Sequence, residues 1–165
     1  MSQSGNLDPE GLTMMPHPGV SQTIPTVLVV DDDEDSRFML RTFLELRGYR
    51  VMEARDGPEA IATANSEKPD LILMDLRLPW LDGISVTRHL RVQAWSHYVP
   101  IVIVSGWDPN RHRPLALAAG CDEYLFKPLN LSSLDEILDK YLAKVPAAGR
   151  RIPSGKPDPG LTAQT

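Results

Sequence analysis

Short apolar runs separated by amphipathic stretches organise the middle of the chain. "TVLVV" (26–30), "RVMEA" (50–54), "LILMD" (71–75), "PIVIVS" (100–105) and "EYLFK" (123–127) read as strands. Four of them are nearly continuous in apolar character, as strands buried on both faces are. The stretches between carry the period of helices. In the first, Met39, Leu40, Phe43 and Leu44 form one stripe after an acidic first turn, and Gly48 marks a stop. In the last, Leu134, Ile137, Leu138, Tyr141 and Leu142 recur at helical spacing, with Ser133 and Glu136 matching a capping box. The remaining helices are predicted over 57–67, 83–94 and 109–119. Pro114 is expected to shorten the fourth helix, because proline suits a helix start better than an interior.

Strands and helices in alternation predict an α/β domain with a parallel sheet, since each connection returns the chain in the same direction. In such open sheets a site forms beyond the carboxyl ends of the strands. The residues at those ends are Asp31 and Asp32 after the first strand, Asp75 at the third, Ser105 at the fourth and Lys127 at the fifth. An acidic cluster, a hydroxyl and an ammonium gathered on one edge suit a hard, oxygen-bound cation beside an anionic group, which suggests Mg²⁺ and phosphate. Each residue also has a plainer role open to it. Asp33, Glu34 and Asp35 fit first-turn residues that complement the helix dipole, and Asp31 and Asp32 fit ordinary caps. Asp75 is harder to explain that way. It follows the buried run "LILM", where an unpaired carboxylate is expensive, and precedes the Pro/Gly-marked loop "LRLPWLDG".

Composition narrows the classes. The chain has 165 residues and 42% hydrophobic content, enough to bury one real core. Its 17 basic against 22 acidic side chains give a formal charge of −5, which argues against broad affinity for nucleic acid or anionic membrane. The single cysteine, Cys121, forms no internal disulfide, and with four scattered histidines it offers no zinc-type spacing, so a reducing cytoplasm is the expected compartment. The first twenty residues contain no Lys or Arg and no apolar core, and no apolar run reaches membrane-spanning length. Residues 1–25 and 146–165, rich in Ser, Gly, Pro and Thr, are expected to be flexible tails around a domain over 26–145.

Together these residues resemble the receiver domain of two-component response regulators. "VLVVDDDED", "PDLILMDLRLPWLDG", "IVIVSG" and "YLFKP" occur in that family's order and spacing and cover essentially all of residues 26–145. The resemblance implies a doubly wound, flavodoxin-like sheet of five parallel strands in the order 2-1-3-4-5, flanked by five helices. It implies that Asp75 is the phosphoacceptor and that Ser105 and Lys127 bind the phosphoryl group. The implied Mg²⁺ ligands are Asp32, Asp75 and the backbone carbonyl of Arg77, with Asp31 acting through water. Ser105 and Tyr124 become the switch pair, and the Lys127–Pro128 peptide resembles one that is usually cis.

The implied function is a stand-alone cytoplasmic response regulator with no output domain on its own chain. It accepts phosphate from a histidine kinase or histidine phosphotransfer protein and signals by docking or by relay. It would not be an enzyme beyond self-phosphorylation and slow self-dephosphorylation. Phosphorylation would draw in Ser105 and Lys127 and let Tyr124 turn, reshaping a surface made by the fourth helix, fifth strand and fifth helix. Nucleic acid and membrane are not expected partners. Two alternatives are a pseudo-receiver scaffold and a Mg²⁺-dependent aspartyl phosphohydrolase, whose nucleophile would follow the first strand in an Asp-x-Asp-x-Thr/Val pattern that "DDDED" does not complete. Gly106 stands where a receiver more often has alanine. Arg77 and Trp107, each two residues beyond a site residue, flank the path of hydrolytic water in this family, and their bulk is expected to slow dephosphorylation.

Overall fold

The computed structural model describes residues 24–142. Side-chain alternation along β1 (Thr26–Val30) sorts the molecule into two layers. Leu28 and Val30 point into one core, Val27 and Val29 into the other. The first core lies against α2 (Gly57–Glu67), α3 (Gly83–Arg91) and α4 (Pro109–Ala119), and the second against α1 (Glu34–Glu45) and α5 (Leu131–Tyr141). β2 (Arg50–Ala54), β3 (Leu71–Met74), β4 (Ile101–Ser105) and β5 (Glu123–Phe126) complete a five-stranded, all-parallel sheet in the order β2-β1-β3-β4-β5. β3 and β4 are buried throughout, which is why their sequences read as unbroken apolar runs. The predicted doubly wound sheet and its strand order are thus observed.

Local chemistry explains the boundaries. Asp33 caps α1, its carboxylate accepting from the Asp35 and Ser36 N–H groups at 2.8 and 3.1 Å, and Glu34 and Asp35 fill the acidic first turn. Gly48, at φ +84°, makes the left-handed turn that leads from α1 into β2. β3 and β5 stop one residue earlier than predicted, so Asp75 and Lys127 lie just past their strands.

Three local expectations are corrected. The capping box of Ser133 and Glu136 does not form. α5 begins earlier, at Leu131, and Asn130 is its cap, accepting from the Ser132 N–H at 2.9 Å. Pro114 does not shorten α4, which runs through it from Pro109 to Ala119. The hydrogen bond that proline forfeits would go to the Asn110 carbonyl, and both residues are exposed, so water can serve that carbonyl instead. The helix predicted over 83–94 ends at Arg91, and a 3₁₀ turn over Ala94–Tyr98 follows after Gln93 adopts an extended backbone. Among the described residues no helix is long and apolar enough to cross a membrane. The two predicted tails fall almost wholly outside the described residues.

Candidate functional site

Strand register brings the site residues to one edge. Val30 of β1 pairs with Met74 of β3, and the Asp75 N–H donates to the Val30 carbonyl at 2.8 Å, so Asp31 and Asp75 emerge side by side. At the other side of β3, Ser105 pairs with Phe126, and the Lys127 N–H donates to the Ser105 carbonyl at 2.9 Å. The Lys127–Pro128 peptide is cis.

Asp31 and Asp75 are buried, 2% and 5% exposed, and both depend on local donors. Asp31 Oδ1 accepts from the Asp33 N–H at 2.9 Å, and Asp75 Oδ1 accepts from the Arg77 N–H at 3.3 Å. Lys127 Nζ donates to Asp31 Oδ2 at 2.7 Å and lies 3.5 Å from Asp75 Oδ2. Burial raises the Asp75 pKa above the usual aspartate range, and the charge of Asp31 adds to this while Lys127 opposes it. Burial works against the Lys127 ammonium, yet its hydrogen bond to Asp31 and the charge of Asp75 outweigh that and raise its pKa.

One carboxylate oxygen from each of Asp31, Asp32 and Asp75 lies within 4.8 Å of the others. Three carboxylates against one ammonium leave two formal negative charges, an oxygen-only set whose charge and hardness fit a divalent cation such as Mg²⁺. Asp32 is exposed, which leaves this corner open to solvent and to an incoming group. The Arg77 side chain is exposed, and its backbone N–H is what touches Asp75.

Ser105 and Tyr124 make no hydrogen bond to these carboxylates and meet the Trp107 backbone instead. The buried Ser105 hydroxyl accepts from the Trp107 N–H at 3.2 Å, and the Tyr124 hydroxyl donates to the Trp107 carbonyl at 3.0 Å. The Tyr124 ring is turned inward and buried. A Cβ added at Gly106 would meet only the Lys127 Cβ, at 3.9 Å, so glycine there is not a steric requirement.

Several contributors were not singled out from sequence. Arg37 donates to the Asp31 carbonyl at 2.8 Å while leaning on Glu53, fixing the end of β1. Gly83 packs so closely that a Cβ there would collide with the Asp75 carbonyl oxygen. The "DG" at the end of the β3–α3 loop marked a turn but not this approach. Trp80, in the same loop, sits at φ +67°.

Comparison with known proteins agrees with this geometry. The response regulator receiver domain family matches residues 27–139. The transcriptional regulatory protein PrrA of Mycobacterium tuberculosis is 43% identical over 112 residues, 68% of this chain and 47% of PrrA, so the chain spans about half the length of that relative. Protein PilH of Pseudomonas aeruginosa is 33% identical over 117 residues, 71% of this chain and 97% of PilH. Among solved structures, the receiver domain of a sensor histidine kinase from Pseudomonas aeruginosa, described with a magnesium ion coordinated in its active-site cleft, aligns with a TM-score of 0.68 at 35% identity. That alignment covers 73% of this chain and 99% of the other. With a family match over residues 27–139 and a five-stranded parallel sheet in the order β2-β1-β3-β4-β5, the chain belongs to the response regulator receiver domain family of two-component signalling.

Proposed function

We propose that residues 26–145 form a phosphorylation-controlled switch whose acceptor is Asp75. The observation that carries this reading is the convergence of Asp31, Asp32 and Asp75 within 4.8 Å of one another, with the Lys127 ammonium against Asp31 and Asp75. A bare carboxylate attacking a phosphorylated donor is an anion approaching an anion, and the site has the means to offset that repulsion. When bound, Mg²⁺ would supply the missing positive charge, held by Asp32, Asp75 and the Arg77 carbonyl, with Asp31 acting through water.

The step balances on one carboxylate. An Asp75 oxygen forms a bond to phosphorus as the donor's P–N bond, in a phosphohistidine, or P–O bond, in an acyl phosphate, breaks. The electron pair leaves with the donor. Lys127, already between Asp31 and Asp75, is placed to follow the new charge onto the phosphoryl oxygens. Ser105 would donate its hydroxyl proton to a phosphoryl oxygen while still accepting the Trp107 N–H, and would act with Tyr124 as the switch, because both hydroxyls are tied to the same Trp107 backbone. The signal would leave through α4, β5 and α5, a face that exposes Leu115, Phe126 and Leu131. The donor is a histidine kinase or histidine phosphotransfer protein, the setting cytoplasmic, and the output protein–protein interaction or relay.

The test is intact mass after incubation with acetyl phosphate, with and without Mg²⁺, on wild type and Asp75→Asn. One phosphoryl adduct that needs both Mg²⁺ and Asp75 supports the switch. No adduct under any condition supports a scaffold instead.

A further inference from the structure

Trp80 is 88% exposed and its backbone lies in the left-handed region at φ +67°. That region is unfavourable for a bulky side chain, and an indole left in water forgoes the burial that usually makes tryptophan worth having. Neither cost is recovered within the fold. Of the three tryptophans, Trp95 donates to Asn65 Oδ1 at 3.0 Å beneath the Lys68 ammonium, and Trp107 packs its ring against His112 with centroids 4.7 Å apart. Trp80 has no hydrogen-bond, aromatic or cation–π partner among the described residues.

The loop that carries Trp80 is held firmly. The Gly83 N–H donates to the Leu76 carbonyl at 3.1 Å and the Leu81 N–H to the Pro79 carbonyl at 2.8 Å, while Gly83 packs on the Asp75 carbonyl. Residues 76–82 therefore fold back against the backbone of Asp75 itself. Arg77 in the same loop is exposed and takes part in no ion pair among the described residues. A loop tied back to the backbone of the acceptor residue that keeps a strained, exposed aromatic is a recurring mark of use.

The geometry points to Trp80 as a docking anchor for the phosphohistidine-bearing protein that delivers the phosphoryl group to Asp75. This rests on Asp75 being the phosphoacceptor. A protein donor must bring phosphorus in line with a carboxylate that is 5% exposed, so its surface has to close over the surrounding loops, and Trp80 is the most exposed large apolar side chain of the described residues. Indole burial is among the strongest single contributions to a protein interface. Arg77 adds a free cation facing an anionic donor. A small donor such as acetyl phosphate reaches Asp75 without covering the indole.

The experiment separates the two donors. Purified histidine kinases and phosphotransfer proteins of the encoding organism, phosphorylated on histidine, are timed against wild type, Trp80→Gly, Trp80→Tyr and Val92→Ala, with acetyl phosphate and Mg²⁺ run in parallel. Val92 is an exposed residue at the opposite end of α3. A protein donor is expected to outpace acetyl phosphate on wild type, and Trp80→Gly to slow that donor at least tenfold. Trp80→Tyr should recover part of the loss, Val92→Ala should stay within twofold, and all variants should accept acetyl phosphate within twofold of wild type. Trp80→Gly should melt no lower than wild type, because glycine relieves the left-handed backbone. Protein-donor transfer within twofold in Trp80→Gly would overturn the docking role, as would equal losses with both donors or no protein donor outpacing acetyl phosphate. A wild type that gains no phosphoryl group on Asp75 from any donor would overturn the acceptor assignment itself, and the docking role with it.

Discussion

Lys127 Nζ sits 2.7 Å from Asp31 Oδ2, closer than its 3.5 Å to Asp75, so the single ammonium of the site is held chiefly by the carboxylate that is not the proposed acceptor. The arrangement keeps Lys127 available. Its ion pair with Asp31 shields a buried charge in the resting state, and the weaker contact to Asp75 leaves that carboxylate free to gain a phosphoryl group.

Removing the ammonium therefore has two effects. Lys127→Met is expected to slow phosphorylation from acetyl phosphate more than tenfold and to lower stability by about 1–3 kcal/mol without Mg²⁺, since buried Asp31 loses a charged partner. Urea unfolding with and without Mg²⁺ checks the second effect. Added Mg²⁺ should return part of the loss.

The raised Asp75 pKa sets a pH dependence. Because the folded protein holds the Asp75 proton more tightly than the unfolded chain does, its contribution to stability is complete below the ordinary aspartate pKa of about 4 and is lost as pH rises through the folded value. In Mg²⁺-free buffer, Asp75→Asn should thus be more stable than wild type at neutral pH, with the difference shrinking towards pH 4. Paired urea titrations across that range test this. A constant difference between the two proteins would contradict it.

Two glycines at the same edge should behave differently. Gly83→Ala would drive a methyl into the Asp75 carbonyl, so it is expected to destabilise by about 2 kcal/mol or more and to impair phosphorylation. Gly106→Ala meets only ordinary contact and should fall within about 0.5 kcal/mol of wild type. Thermal melts of the two variants give the comparison.

Phosphoryl lifetime tests the bulk around the acceptor. Arg77 and Trp107 are both exposed, Trp107 with its ring held by His112. Arg77→Ala and Trp107→Ala are each expected to shorten the half-life of the phosphorylated protein several-fold by opening a path for water. An unchanged half-life in both variants would remove bulk as the cause.

Much of this protein is legible in one dimension because its strands are buried on both faces. Continuous apolar runs leave little freedom for "LILM" or "IVIV", and the polar residues that end them necessarily fall at one sheet edge. Asp31, Asp75 and Lys127 could be placed together for that reason. Helix ends were less legible. Asn130 and Ser133 are both competent caps, and the choice between them depends on where the chain leaves β5. Pro114 looked like a boundary, yet its missing N–H costs little where the partner carbonyl meets water.

The sequence by itself determined the α/β class and which residues reach the carboxyl edge, because hydrophobic period and strand polarity act locally along the chain. Only the tertiary structure decided that Lys127 pairs first with Asp31, that Ser105 and Tyr124 share the Trp107 backbone, and that the loop bearing Trp80 folds back on Asp75. Those relationships join residues from different elements through distances of a few ångströms, and such distances are set by how the layers pack rather than by any local pattern.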